Sequence, residues 1–325
     1  MTRSRQGWTR RSAVASGLVG LAMPLVARAS SFPERPIRFV VPLSAGGAID
    51  VLGRLIGRGL EPILKQQVII ENKVGANGQI ATEFAASQPP DGHTLLLTTN
   101  SVTTLPITNR SFRQDILKIF EPITTIEERP LVVIGSGKAA FKTFAEMIAY
   151  AKANPGKLNC AVVGAVNEVS AAWINSALGI QTTLVRYRGS APAFTGLLTG
   201  EVDYTQSFTE TVDQYVGTGE MRIVATLGKA RTAQYPEAPT VSEFAPEVHW
   251  NAWSGLLAPA GTPRATIDIL TSALAKALAQ PDIKATFDRQ GSSPALVSPE
   301  EFAKRLAFER GNFSAIAEKA SLQFQ

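Results

Sequence analysis

The stretch Ile37 to Asp50 (IRFVVPLSAGGAID) restricts this chain more than any other. Ile37, Phe39, Val40 and Val41 form an apolar run suited to a strand covered on both faces. Pro42 cannot extend a strand ladder, so the strand is expected to end there. Gly46 and Gly47 let the backbone pass close to another group with no Cβ in the way. A helix starting after them aims unpaired N–H groups back at the turn, a setting suited to a carboxylate or phosphate. Taken alone, the stretch is better read as an ordinary βα turn, with glycines present only for tightness. Either way it calls for an α/β fold with a buried, mostly parallel sheet.

The residues before it read as an export signal. Arg3, Arg5, Arg10 and Arg11 make a basic start, an apolar run covers Ala13 to Val26, and Ala27-Arg28-Ala29 matches a small-x-small cleavage pattern. Residues 1–29 are therefore expected to be a signal peptide cleaved near Ala29, with the mature chain in the periplasm. Arg10-Arg11 keeps the twin-arginine route open beside the general one. The leader carries five arginines and no acid, so the formal charge of +5 falls to zero in the mature chain. The basic balance thus gives no argument for nucleic acid or a membrane surface. One cysteine, Cys160, excludes an internal disulfide, and with only two histidines no HExxH, CxxC or clustered His/Asp arrangement is present. No cofactor is expected. The remaining 296 residues are enough for two domains, and no later apolar run is long enough to span a bilayer.

Strand and helix patterns alternate along this chain. A helix is expected over Asp50–Leu64, a strand over Gln67–Glu71, a helix near Gln79–Ser87 and a strand over Thr94–Thr99. After a polar excursion at 111–119 come strands at Ile123–Ile126 and Leu131–Ile134, and the chain is expected to cross into a second domain between them. That domain repeats the scheme, with helices at Thr143–Ala153, Val169–Leu178 and Pro192–Thr199. Its strands are expected at Leu158–Val163, Thr182–Val185, Tyr204–Gln206 and Arg222–Thr226, with a short helix at Thr211–Gly217. A return near 228–235 leads to a strand at Gly255–Ala258 and helices at Pro263–Ala279 and Pro299–Lys319. The boundaries expected are 30–129 with 231–325 for domain I, and 130–230 for domain II. In open parallel sheets ligands sit beyond the carboxyl ends of the strands, so two facing domains would share one cleft.

Seven segments in order then resemble a known family: PIRFVVPLSAGGAID from Pro36, VIIENKVGANG from Val68, DGHTLL from Asp91, ANPGKLN from Ala153, YRGSAPA from Tyr187, LLTGEVD from Leu197 and GLLAPAGTP from Gly255. Their order and spacing are similar to those of the Bug receptors, the periplasmic solute-binding proteins of tripartite tricarboxylate transporters. The resemblance covers nearly all of the mature chain. It implies a type II-like, two-domain periplasmic-binding-protein fold, each domain a mostly parallel sheet flanked by helices. It implies a receptor and no catalysis, with a small organic acid as ligand and the transporter's membrane subunits as partners. Nucleic acid is not an expected partner, and a monomer is.

Carried over position by position, the resemblance implies a first ligand loop of Leu43, Ser44, Ala45, Gly46, Gly47 and Asp50, and a second at Thr99-Asn100-Ser101. The opposite domain would contribute Gly164-Ala165-Val166-Asn167 and Tyr187-Arg188-Gly189-Ser190. The chain departs from the family at Val162–Asn167, where apolar groups and an amide replace hydroxyls. It departs again at Ser207, which stands at a commonly acidic position. The missing acid argues against a ligand amine, and Val162 and Val166 argue for an apolar or aromatic ligand body.

Several of these residues have two readings. Asp50 suits a helix N-terminus or a water-mediated ligand contact. Arg188 could grip a carboxylate bidentately or be a solvated loop charge. Ser44 could donate to a ligand or cap its helix. Trp250 and Trp253 could stack on a ligand or pack in the core. His93 reads as a turn residue and Cys160 as a small core hydrophobe. Among functions, an exported enzyme using the same cleft lacks a GxSxG or SxxK nucleophile, GxGxxG and the P-loop. A ligand sensor stays open beside transport, and an adhesion module fits the α/β pattern poorly.

Overall fold

Ile37–Val41 forms strand β1, and Pro42 follows it as the first residue unable to continue the ladder. The computed structural model describes residues 32–109, 111–289 and 292–324, the Glu210 side chain excepted. The expected leader and its cleavage point lie outside the described residues. After β1 come α1 (Ala48–Leu64), β2 (Val68–Asn72), α2 (Gln79–Ala86), β3 (Thr94–Thr99), α3 (Ser101–Thr108), α4 (Ile116–Ile119) and β4 (Phe120–Arg129). With Pro130 between, the chain enters β5 (Leu131–Ser136), α5 (Phe144–Ala153), β6 (Asn159–Val163), α6 (Gly164–Leu178) and β7 (Thr183–Tyr187). It continues through α7 (Ser190–Thr199), β8 (Tyr204–Phe208), α8 (Asp213–Val216) and β9 (Met221–Thr226). The last third holds β10 (Ala252–Pro259), α9 (Arg264–Leu278), α10 (Pro281–Arg289), β11 (Ser293–Pro294) and α11 (Pro299–Lys319).

Among the described residues the strands form a six-stranded sheet, ordered β11-β4-β10-β3-β1-β2, and a five-stranded sheet, ordered β7-β6-β8-β5-β9. β1 pairs in parallel with β2 and β3, and β6 in parallel with β7 and β8; β10 and β5 run antiparallel to both of their neighbours. The fold is thus the expected two-domain α/β type. Leu52, Ile56 and Leu60 recur at helical spacing on α1 and pack with Phe39, Leu95 and Leu274 against the first sheet. Burying each such side chain contributes about 1.5–3 kcal/mol.

The structure corrects the expected elements in several places. The Gly164–Asn167 segment, read as a loop, is the first turn of α6. A glycine and a β-branched residue hid the helix, whereas in the fold the Asn167 side chain accepts from Val163 N at 3.2 Å and donates to Gln206 O at 3.1 Å, tying this turn to β6 and β8. Helices α3 and α10 fall in stretches assigned no helix; α3 is threonine-rich and contains Pro106, and gives a weak apolar period. The segment after β9 does not return to the first sheet at 228–235. Thr240 bridges Thr226 in parallel, and Val241, Ala245, Val248 and Trp250 pack into the second sheet's core. That core also takes Phe313, Ile316 and Ala317 from the end of α11, although Phe302 and Leu306 near its start pack on the first sheet with Trp253. Helix α11 therefore belongs to both lobes. Among the described residues, no helix is long and apolar enough to cross a membrane.

Candidate functional site

The carboxyl ends of β1, β2 and β3 and of β6 and β8 bring their following residues to two cavities bounded by both sheets. The larger, about 640 Å³, lies between Pro42, Leu43 and the 74–78 turn on one side and Val162–Val166, Glu168, Arg186 and Tyr187 on the other. The smaller, about 190 Å³, is bounded by Asn100 and Ala252 from the first lobe and by Asn167, Ser190, Phe194 and Thr205–Phe208 from the second. Val163 and Val166 line both, so the two cavities share a wall.

The first glycine turn is built inward. Gly46, at φ +81°, donates its N–H to Asp50 Oδ2 at 2.9 Å. Asp50 is 2 % exposed and also accepts from Arg54 Nε at 2.9 Å and Nη2 at 3.1 Å. The Arg54 guanidinium, aided by the Gly46 N–H, holds the Asp50 carboxyl down at about 2, against the opposing effect of burial. The carboxylate therefore braces its own turn. Ser44 does not cap α1: Gly47 is the cap residue, with no side-chain hydrogen bond.

Of the residues expected in the site, Leu43, Ser101, Gly164, Ala165 and Val166 line the larger cavity, and Asn100, Val166, Asn167 and Ser207 the smaller. Ser44, Ala45, Gly46, Gly47, Asp50, Thr99, Arg188 and Gly189 line neither. Arg188 is exposed, and the arginine at the larger cavity is its neighbour Arg186, held by Glu168 at 2.9 Å between Nε and Oε2. Ser207 is buried and shares a hydrogen bond with Thr211 at 3.1 Å. Trp250 packs in the second core and also lines the smaller cavity; Trp253 packs in the first lobe's core. Cys160 is fully buried, and burial pushes its thiol up to about 12.

Gln206 escaped the sequence reading. The Trp250 indole can only donate, and its Nε1 lies 3.0 Å from Ser170 Oγ. Ser170 must then spend its own hydrogen on Gln206 Oε1, at 2.6 Å. This relay fixes the amide and leaves Gln206 Nε2 buried with no acceptor. Asn100 Nδ2, from the opposite lobe, is likewise buried without an acceptor. A polar run through Thr205-Gln206-Ser207 in an otherwise buried strand was the available signal.

Among the described residues no charged side chain lines the smaller cavity. Its electrostatics come from helix ends. Asn100 precedes α3, Val163 precedes α6 and Ser190 opens α7, and none of these helices has a side-chain cap. Side-chain caps are present on α4, α5 and α11, from Asp115, Thr143 and Ser298; α1, α2, α8 and α9 are uncapped as well. Uncapped helix starts supply partial positive charge and free N–H groups, and buried amide donors add to them. The arrangement suits an acceptor-rich anionic group set against an apolar wall. Among the described residues no cluster of metal-ligating side chains is present.

Residues 52–322 match the model of the tripartite tricarboxylate transporter family receptors. Protein BugT of Bordetella pertussis is 28% identical over 315 residues, covering 94% of this chain and 95% of that one. A TctC solute-binding protein from Polaromonas, solved without ligand, superposes with a TM-score of 0.80 at 26% identity, covering 89% of this chain and 99% of its own. An R. palustris protein solved with adipate gives a TM-score of 0.72 at 26% identity, over 90% of this chain and 100% of that one.

Proposed function

This chain belongs to the tripartite tricarboxylate transporter receptor family, and on that premise we propose that it captures a small organic acid between its two lobes and presents it to the membrane subunits of such a transporter. In this reading residues 1–29 are removed and the mature receptor works as a monomer in the periplasm.

One observation carries the ligand class. Asn100 and Gln206 reach the same small cavity from different sheets, and each keeps a buried amide nitrogen without an acceptor. A buried unsatisfied donor costs about 1–3 kcal/mol, which a ligand oxygen would recover. A carboxylate has only acceptors to offer, and the three uncapped helix starts favour its charge. Because the donors belong to different lobes, a carboxylate bonded to both would favour the closed arrangement. The adipate found in the R. palustris relative is of this chemical class. Without a cation in the smaller cavity, the acid would be held by neutral donors rather than by the arginine grip expected at Arg188.

A thermal-shift screen of mono-, di- and tricarboxylates, paired with native mass spectrometry of the purified protein, tests the proposal. A solute present at 100 times its Kd adds about 2.7 kcal/mol of stability and raises Tm accordingly, without turnover. A shift with sugars or amines and none with any carboxylate overturns it.

A further inference from the structure

We infer that the segment following α11 is a specificity element of the cleft, with Phe324 as the wall against which the body of the bound acid packs. The inference rests on the carboxylate reading above and adds to it the chemistry of the rest of the ligand.

The segment is held at several points. Ser321 N donates to Glu318 O at 3.0 Å and Leu322 N to Ala317 O at 2.9 Å, which turns the chain back on the helix end. Arg186 Nη2 donates to Gln323 O at 3.0 Å while its Nε is held by Glu168, which is 4 % exposed. Leu322 and Phe324 pack at the margin of the second lobe's core. Phe324 is half-buried and lines the 640 Å³ cavity, whose apolar and aromatic wall includes Leu43, Val74, Val163, Val166 and Tyr187, with Ser101, Thr104 and Thr108 among its polar lining. The ion pair of Arg186 with Glu168 satisfies the charges nearest to it, so this part of the cleft presents apolar and aromatic surface rather than a second anion grip.

The shared wall at Val163 and Val166 joins this apolar space to the smaller cavity with its amide donors. A ligand filling both would place its carboxylate by Asn100 and Gln206 and its body by Tyr187 and Phe324. An aromatic acid suits a cavity lined by two aromatic side chains better than a short hydroxy acid does.

Calorimetric titrations of the full chain and of Phe324→Ala with benzoate, adipate and malate test the inference. A fluorescence titration with anilinonaphthalene sulfonate, an aromatic anion, reads the cleft whether or not a carboxylate binds. The substitution removes a half-exposed ring, so ligand-free Tm is expected to hold. Affinity for benzoate and for the fluorescent anion should fall roughly three- to tenfold, with malate changing less than about twofold. Phe324→Trp should keep the aromatic preference. Equal affinities for wild type and Phe324→Ala across all probes overturn the inference and leave the carboxylate reading standing. Loss of the fluorescent anion alone, with no carboxylate bound by wild type, sinks the carboxylate reading and supports the wall.

Discussion

Ser170 Oγ lies 2.6 Å from Gln206 Oε1 and 3.0 Å from Trp250 Nε1, so one hydroxyl sets which way a buried amide points. Removing it in Ser170→Ala strands a buried donor and a buried acceptor and should cost about 1–3 kcal/mol in urea unfolding. The freed amide can then rotate, and carboxylate affinity should drop with it. Gln206→Glu separates the two effects. It puts a carboxylate where the donor stood, so affinity for an organic acid should fall at least about tenfold at pH 7, and partly recover near pH 4 as the new group protonates. Isothermal titrations at the two pH values decide; a loss independent of pH counts against the donor role.

Legibility in the sequence followed the range of the interactions concerned. The β1–turn–α1 unit was readable because Pro42, Gly46 and the Leu52/Ile56/Leu60 period are local signals. Arg188 was expected at the ligand from its neighbours in a family motif. Arg186 and Arg188 would share a face in a continuous strand, but β7 ends at Tyr187, so Arg186 is held in the ladder opposite Val162 and Arg188 lies beyond it. Gln206 depends on Ser170 and Trp250, 36 and 80 residues away from their respective partners, and no local pattern announces such a relay. The two allegiances of α11 were hidden for a similar reason: an amphipathic period says that a face is buried and not what buries it.

Asp50 makes the first turn sensitive to acid. Its folded carboxyl sits at about 2 against an ordinary 3.8, so the folded state binds the proton more weakly than the unfolded chain. The resulting stability is complete above about pH 4 and is lost as pH falls through about 2. Asp50→Asn should cost about 1–2 kcal/mol at pH 7 and almost nothing near pH 2. Urea midpoints of both proteins across this range show the convergence; parallel curves would contradict it. Gly46→Ala probes the same turn by another route, because φ +81° strains an L residue by about 1–2 kcal/mol even though no atom stands where the Cβ would go.

Glu309 has the opposite sign. Burial pushes its carboxyl up to about 7, against Arg305 at 3.0 Å and the Trp253 indole at 2.8 Å, which pull it down. Between about pH 4.5 and 7 the folded state therefore holds more proton than the unfolded chain, and stability falls as pH rises through that window. Glu309→Gln keeps an acceptor for Trp253 and removes the titration, so its stability should be flatter from pH 5 to 8 than that of wild type. Chemical denaturation at half-unit pH steps measures the difference in slope.

The start of α11 sets Phe302 edge-on to Trp253 at 5.0 Å, and its later turns set Phe313 against Trp250 at 5.9 Å and Trp173 at 6.4 Å. If the lobes rotate on ligand capture, as the proposed function requires, a rod fixed to both has to bend or slip. The bend is cheapest at Gly311, which lies between the two anchors and meets nothing where a side chain would stand. In that motion the travel between the two sheets would be governed by a helix that spans both lobes, as a stay governs a hinged window, and not only by the single proline that joins β4 to β5.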